Sequence, residues 1–328
     1  MKEKVLDTIK KYNLIEDGDK LVLAVSGGPD SMSMLNILNE LKNDKVINFE
    51  ISVAHVNHMI REEAKEDEEY VKEYCSQKNI HFYSKSIDVQ KLANNNKVGT
   101  EEAGRYARYE FFDEILKITE SNKVVVAHNK NDKAETIIMN IMRGSGIIGL
   151  KGIEPKKGKY IRPLIECERF EIEDYCKKEK LNPKIDKTNF ENVYTRNKIR
   201  NIVIPYVKKE FNPNIIETLN RLSELVVDEE NYIIKQVERI YKEILISENE
   251  KEIIIDLKSF NKQEKVIKSR IILYTITRLF GTSKEIAKVH IEDIIKLCNN
   301  NIGNKFLTPN KNIKVLVKNH KIYFIKEN

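Results

Sequence analysis

Cysteine is scarce in this chain: Cys75, Cys167, Cys176 and Cys298 are the whole supply. None forms a C-x-x-C pair, which argues against a disulfide framework and against zinc or iron–sulfur ligand spacing. Reduced thiols in a cytoplasm are the expectation. Long apolar runs are missing too, so no segment of the sequence could cross a bilayer as a helix, and no membrane partner is expected. The opening Met1-Lys2-Glu3-Lys4-Val5-Leu6-Asp7 is a charged amphipathic pattern without the apolar core of a signal peptide. Internal repeats and low-complexity linkers are absent. Absent as well is a Walker-type Gly-x-x-x-x-Gly-Lys-Ser/Thr, so no lysine of that kind reaches a β/γ-phosphate.

What is there points to a globular protein. The chain has 328 residues, 41% hydrophobic and 33% charged, a length that suits two domains. Net charge is +6, and residues 151–210 alone hold 16 Lys/Arg against 10 Asp/Glu, also +6. Residues 301–328 hold six lysines against Glu327. Two basic regions separated by near-neutral sequence suggest a polyanionic partner. A Lys-rich solvated surface would give the same composition, and aromatic residues are not interleaved with the charge.

The first half alternates two periodicities. Strand-like runs fall at 21–25, 49–56, 80–87 and 123–127, and helical patterns at 2–13, 31–42, 62–78, 100–119 and 132–142. That alternation predicts an α/β domain with a parallel sheet, whose ligands bind at the strand carboxyl ends. Three suggestive segments lie there, 26–31, 55–61 and 128–132. The acidic run 61–69 reads as the wet face of a helix. Glycine-dense 143–152 reads as a loop that approaches a ligand or moves on binding. After Asn212-Pro213 a second domain is expected, 213–328 against 1–212, the latter including the basic linker 151–212. It opens on an apolar stripe from Ile215 to Ile244 that predicts one helix of ~30 residues, ~45 Å long. Further helices are expected at 261–280 and 284–298. A small β-hairpin tail is expected around 313–325, in a mainly helical domain.

The most informative stretch is Leu21-Val22-Leu23-Ala24-Val25-Ser26-Gly27-Gly28-Pro29-Asp30-Ser31. A buried strand runs into a glycine turn and then a helix. Glycine lets the backbone approach an anion, and the N–H groups of the helix start point at it. Pro29 suits the first helical turn.

This turn resembles the Ser-Gly-Gly-x-Asp-Ser loop of the N-type ATP pyrophosphatases, the PP-loop superfamily. Further along, His55-Val56-Asn57-His58-Met59-Ile60-Arg61 resembles a segment of the tRNA(Ile)-lysidine synthase family. So do Glu102-Ala103-Gly104-Arg105-Tyr106-Ala107-Arg108-Tyr109, the run from His128 to Thr136, Arg143-Gly144-Ser145-Gly146, Arg162-Pro163-Leu164, Asp186, Asn189, and Arg196-Asn197 with Arg200. The resemblance is dense over residues 18–213. It implies ATP and Mg²⁺ as cofactors, with lysine and an isoleucine tRNA of CAU anticodon as partners. A homodimer is left open. ATP contacts are implied for Ser26, Gly27, Gly28, Pro29, Asp30, Ser31, Ala54, His55, Arg143 and Gly144. Catalytic roles are implied for Asp30, Arg105, Arg108, His128 and Asp132, Mg²⁺ at Asp30 and Asp132, and tRNA contacts at Arg162, Arg196, Lys198 and Arg200.

The implied reaction has two steps. The C2 oxygen of the wobble cytidine attacks the α-phosphate of ATP, and the lysine ε-amine then displaces AMP. Backbone N–H groups, Mg²⁺ and an arginine would stabilise the first step. The second needs a base, for which His128 and Asp132 are both candidates. Arg105 or Arg108 alone also fits a surface salt bridge, and His55 and His58 fit core packing. The sequence departs from the family where His-His-x-Asp-Asp-Gln is common: it reads His128-Asn129-Lys130-Asn131-Asp132-Lys133. Asn129 and Asn131 cannot transfer protons. Two other readings compete. A 2-thiocytidine synthetase would need an iron–sulfur cluster, which the missing C-x-x-C disfavours. A non-catalytic nucleotide-binding regulator could share the scaffold.

Overall fold

The computed structural model describes residues 1–57, 59, 64–184, 191, 194–283, 286–300 and 305–327. The chain forms two compact units, Met1–Glu224 and Leu225–Asn328. The first contains α1 (Lys2–Lys11), β1 (Asp19–Ala24), α2 (Pro29–Asn43), β2 (Phe49–Asn57), α3 (Ala64–Gln77), β3 (His81–Ser86), α4 (Val89–Asn96), α5 (Thr100–Ile118) and β4 (Lys123–Val125). It continues through α6 (Lys130–Met142), α7 (Gly146–Gly149), β5 (Lys156–Lys157), β6 (Tyr160–Ile161), α8 (Arg169–Lys178), α9 (Thr195–Lys198) and α10 (Ile204–Glu210). A π-helical turn, Ile199–Val203, joins α9 to α10.

The sheet order is β3-β2-β1-β4-β6-β5. All pairings are parallel except the last, β5 with β6. β1 is central, and from Leu21 to Ala24 it is apolar because both its faces are covered. Leu21 and Leu23 face a core built with Val5 and Ile9 of α1, Leu35 and Leu38 of α2, Val71 of α3 and Ile172 of α8. Val22 faces the other way, onto Phe111, Phe112 and Ile115 of α5. Strand order reverses at β1, whose neighbours β2 and β4 lead in opposite directions. The turns after β1 and β4 open a crevice there, where α/β sheets bind ligands. The short β5/β6 hairpin escapes sequence reading because two-residue strands show no alternation.

α11 (Ile215–Ile244) is a single helix of 30 residues, as its apolar stripe predicts. The division between units falls inside it, after Glu224, rather than at the Asn212-Pro213 turn where the composition shifts. The second unit is mainly helical, as expected, and carries more strands than the one hairpin its sequence suggests. β7 (Leu245–Glu248) follows α11 without a break, and β8 (Glu252–Asp256), α12 (Leu257–Asn261), α13 (Lys265–Phe280) and α14 (Lys288–Asn300) come next. The chain ends with β9 (Lys305–Asn310), β10 (Ile313–Lys318) and β11 (Lys321–Lys326). The expected hairpin is β10 with β11, but it is the middle of a five-stranded antiparallel sheet, β7-β8-β11-β10-β9. Ile253, Ile255, Ile322 and Phe324 pack this sheet against Ile272 and Ile276 of α13 and Ile294 of α14. Among the described residues no helix is long and apolar enough to cross a membrane.

Candidate active site

The turn after β1 is pinned by its own side chains. Gly27 has φ +88°, a conformation that L side chains rarely adopt, and Gly28 caps α2 in an extended conformation. The Ser31 hydroxyl accepts from the Ser26 N–H at 3.1 Å and donates to the Gly28 carbonyl at 3.0 Å. From below, the Lys184 N–H donates to the Gly27 carbonyl at 3.1 Å. The first N–H groups of α2 have no intrahelical partner and carry the positive end of the helix dipole. They open on a cleft of about 1210 Å³ that Ser26, Gly28, Asp30 and Ser31 help to line.

A chain of carboxylate, amide and carboxylate runs from Asp30, which lines this cleft, to the buried start of α6. Asn129 is fully buried and donates from Nδ2 to Asp30 Oδ1 at 2.9 Å. Its Oδ1 accepts from the Asp132 N–H at 3.0 Å, and its own N–H donates to Asp132 Oδ2 at 3.1 Å, which forms a capping box at the start of α6. Burial, and then the negative charge of Asp132, push the Asp30 carboxyl up to about 6. Burial would push Asp132 up as well. Arg196, His128, Arg169 and Arg200 outweigh it and hold Asp132 below the usual carboxylate range.

Those arginines form a clamp. Asp132 Oδ1 lies 3.0 Å from Arg200 Nη2, 3.2 Å from Arg196 Nη2 and 3.4 Å from Arg169 Nη2. Glu135, one turn further along α6 and 1% exposed, receives Arg200 Nε at 2.7 Å and Arg196 Nε at 3.0 Å. Arg169 carries no motif and is missed by sequence reading, as is Glu135. The pairing has a local trace: Asp132 and Glu135 are three apart and Arg196 and Arg200 four apart, spacings that put each pair on one helix face.

His128, which precedes Asn129 and lines the cleft, accepts at Nδ1 from Arg162 Nε at 3.3 Å, and Arg162 Nη1 donates to the Glu154 carbonyl at 2.8 Å. A guanidinium can only donate, so the imidazole proton sits on Nε2. Burial pushes His128 down to about 4 against the opposing charge of Asp132, with Arg162, Arg196 and Arg105 acting in the same direction as burial. Arg162 itself is 7% exposed. Its guanidinium, expected to meet tRNA, is turned toward His128 in this structure. His55 is buried, its Nδ1 2.9 Å from the Val25 carbonyl, and burial lowers its pKa. It holds the end of β1 while lining the cleft beside Ala54. Arg105 and Arg108 both reach the cleft from α5. Arg105 lies over the Tyr109 ring and donates to its hydroxyl at 3.1 Å.

Not every expected residue converges. Arg143 and Gly144 are exposed and do not line this cleft. Two of the glycines after them serve packing: a Cβ on Gly149 would come within 2.6 Å of Ser145 Cβ, and one on Gly152, at φ +61°, within 2.9 Å of Ile137 Cγ1. Lys198 is exposed on α9. His58, Arg61, Asp186 and Asn189 lie outside the described residues. All four cysteines are buried, and burial raises each thiol, to about 12 for Cys75, Cys167 and Cys298. Among the described residues no three His, Cys, Asp or Glu side chains converge as a metal cluster.

Residues 1–207 match the family model of the PP-loop domain. The chain is 47% identical over 308 residues to a tRNA(Ile)-lysidine synthase of Clostridium acetobutylicum, which covers 93% of this chain and 66% of that protein. It is 44% identical over 327 residues to a protein of the same name from Clostridioides difficile, covering 99% and 70%. The chain belongs to the tRNA(Ile)-lysidine synthase family. It spans about two thirds of the length of these relatives. Among solved structures, a U34-tRNA thiolase from Methanococcus maripaludis aligns with a TM-score of 0.57 at 18% identity, over 69% of this chain and 77% of that one. At that identity the likeness is one of fold. As a PP-loop domain the first unit uses ATP.

The two departures from the common family motif now have locations. Asn129 is the bridge between the carboxylates, and Asn131 Oδ1 accepts from the Arg169 N–H at 3.0 Å, which fixes the start of α8. The donor set also bears on Mg²⁺. That ion is held through one or two carboxylates, with phosphate oxygens and water. Asp30 fits, because it faces the cleft and only its Oδ1 is engaged by Asn129. Asp132 fits poorly, because Oδ1 meets three guanidinium groups and Oδ2 accepts a backbone N–H.

Proposed function

We propose that this chain adenylates the C2 oxygen of the wobble cytidine of an isoleucine tRNA with a CAU anticodon, and then joins lysine to that carbon. The turn at 26–31, with Asp30 facing a cleft large enough for nucleotide and acceptor together, carries this reading. The names of the two clostridial relatives point the same way. In the first step the cytidine oxygen bonds to the α-phosphorus and pyrophosphate leaves. N–H groups of the turn and the α2 start receive the developing charge, and Arg105 or Arg108 neutralises phosphate from α5. Mg²⁺ held by Asp30 would supply further neutralisation. In the second step the lysine nitrogen bonds to C2, AMP departs with the oxygen, and a proton leaves the amine.

The electrostatics redistribute the roles within this site. Asp132 anchors arginines, and His128, neutral with its proton on Nε2, serves as a donor. Asp30, near 6, is the carboxylate matched to a proton or a metal at neutral pH. tRNA is held by the lysine-rich surface of 151–212, Lys198 included. The test is mass spectrometry of the CAU isoleucine tRNA after incubation with this chain, ATP and isotope-labelled lysine. The expected result is one labelled lysine on the wobble cytidine, with AMP and pyrophosphate in equal amounts. Unmodified tRNA without tRNA-dependent pyrophosphate release would overturn the reading.

A further inference from the structure

We propose that Asn129 is a positioning residue that fixes the orientation of the Asp30 carboxylate in the ATP cleft. The kinetic part of this proposal rests on the adenylation reading; its geometric part does not. Asn129 is 0% exposed and its amide cannot turn over. Oδ1 is committed to the Asp132 N–H at 3.0 Å, so Nδ2 must face Asp30, which it does at 2.9 Å. A flipped amide would set an oxygen against the Asp30 carboxylate and an N–H₂ against an N–H donor, losing both bonds. Among the described residues no other group donates a hydrogen bond to the Asp30 carboxylate.

The residue therefore couples two tasks. As N-cap it closes the first turn of α6, and through the same planar amide it ties α6 to the first turn of α2. A neutral donor is the group that suits this place. An acceptor there would repel Asp30, and a cation would compete with the guanidinium groups already gathered on Asp132. Misplacement of a reacting group by about 1 Å is enough to cost on the order of 100-fold in rate.

The experiment compares Asn129→Ser and Asn129→Ala. Serine can still cap the helix but its hydroxyl is too short to reach Asp30; alanine does neither. The expected result is an equal loss of kcat for tRNA-dependent pyrophosphate release in both variants, at least about tenfold, with KM for ATP within about threefold of the parent. Their melting temperatures should differ, Ser above Ala. Parental kcat in Asn129→Ser, or losses that follow the melting temperatures, would overturn the proposal. A second measurement needs no catalysis: urea unfolding of Asn129→Ser in the parent and in an Asp30→Ala background. The serine should change the unfolding constant by a smaller factor when Asp30 is absent, by at least about threefold. Equal factors in the two backgrounds would mean no coupling and would sink the proposal, whether or not the chain makes lysidine. Absent pyrophosphate release with coupling intact would overturn only the functional reading.

Discussion

At the residue scale, position in the field of neighbouring charges separates groups that the sequence presents as equals. Asp30 and Asp132 both look like carboxylates of a phosphate site. One faces the cleft with a pKa raised to about 6 by burial and by its partner, and the other is held low by guanidinium groups. The folded state therefore binds the Asp30 proton more tightly than the unfolded chain does. Its contribution to stability is present at low pH and is lost as pH rises from about 4 to about 6. Asp30→Asn should then raise the urea midpoint at pH 8 while abolishing pyrophosphate release; a lowered midpoint would contradict the electrostatics. His128 has the opposite sign. Its pKa lies near 4, below that of the unfolded chain, so stability is lost as pH falls from about 6.5 toward 4. The imidazole should show no NMR titration between pH 5 and 8. The Ser-Gly-Gly turn and the identities of Asp30, His128 and Asp132 were legible because a local motif carries them. Charge states were not, because they arise from burial and from groups distant in sequence, Asp132 for Asp30 and Arg162, Arg169, Arg196 and Arg200 for His128 and Asp132.

At the element scale, α6 organises the site. Its cap faces Asp30, its first turn carries Asp132, and Glu135 follows on the same face. The sequence gives α6 its length and its apolar side but not its counter-charges, since α9 and the π turn bring Arg196 and Arg200 from more than 60 residues away. Removing one member of a buried ion network leaves the others uncompensated. Glu135→Ala should destabilise the first unit by roughly 3–5 kcal/mol in urea unfolding. A loss below about 1 kcal/mol would mean that Asp132 alone satisfies the clamp. In the glycine segment after α6, packing accounts for two positions: a Cβ on Gly149 or Gly152 would meet Ser145, Asn140 or Ile137, whereas Gly144 and Gly146, both at positive φ, have open space beside them.

At the scale of the whole molecule, the α/β architecture was legible because its strands are long, apolar and spaced by strong helical periods. The second unit's sheet was not. β7 continues the helix before it without punctuation, and β8 is one short isoleucine run. Net charge acts at this scale too. Arg162 is internal and Arg196 and Arg200 are held by carboxylates, so on the proposed function the surface lysines of 151–212 would carry the attraction for tRNA. Its affinity should fall steeply with salt as counterions are released and rebound. Lys198→Ala should reduce the slope of log K against log salt by about one without changing ATP affinity. An unchanged slope in filter binding would remove Lys198 from the interface.

The central place of β1 also governs how the chain must be made. β1 meets β2 some thirty residues later, but its second edge waits for β4, where Leu21 pairs with Lys123. At roughly 5–20 residues per second, that edge stays bare on the ribosome for about 5–20 s. An unpaired strand with an apolar run from Leu21 to Val25 is a template for other chains. The central strand of the finished sheet is thus an exposed edge of the nascent chain, and the time it stays bare depends on the speed with which residues 25–125 are delivered.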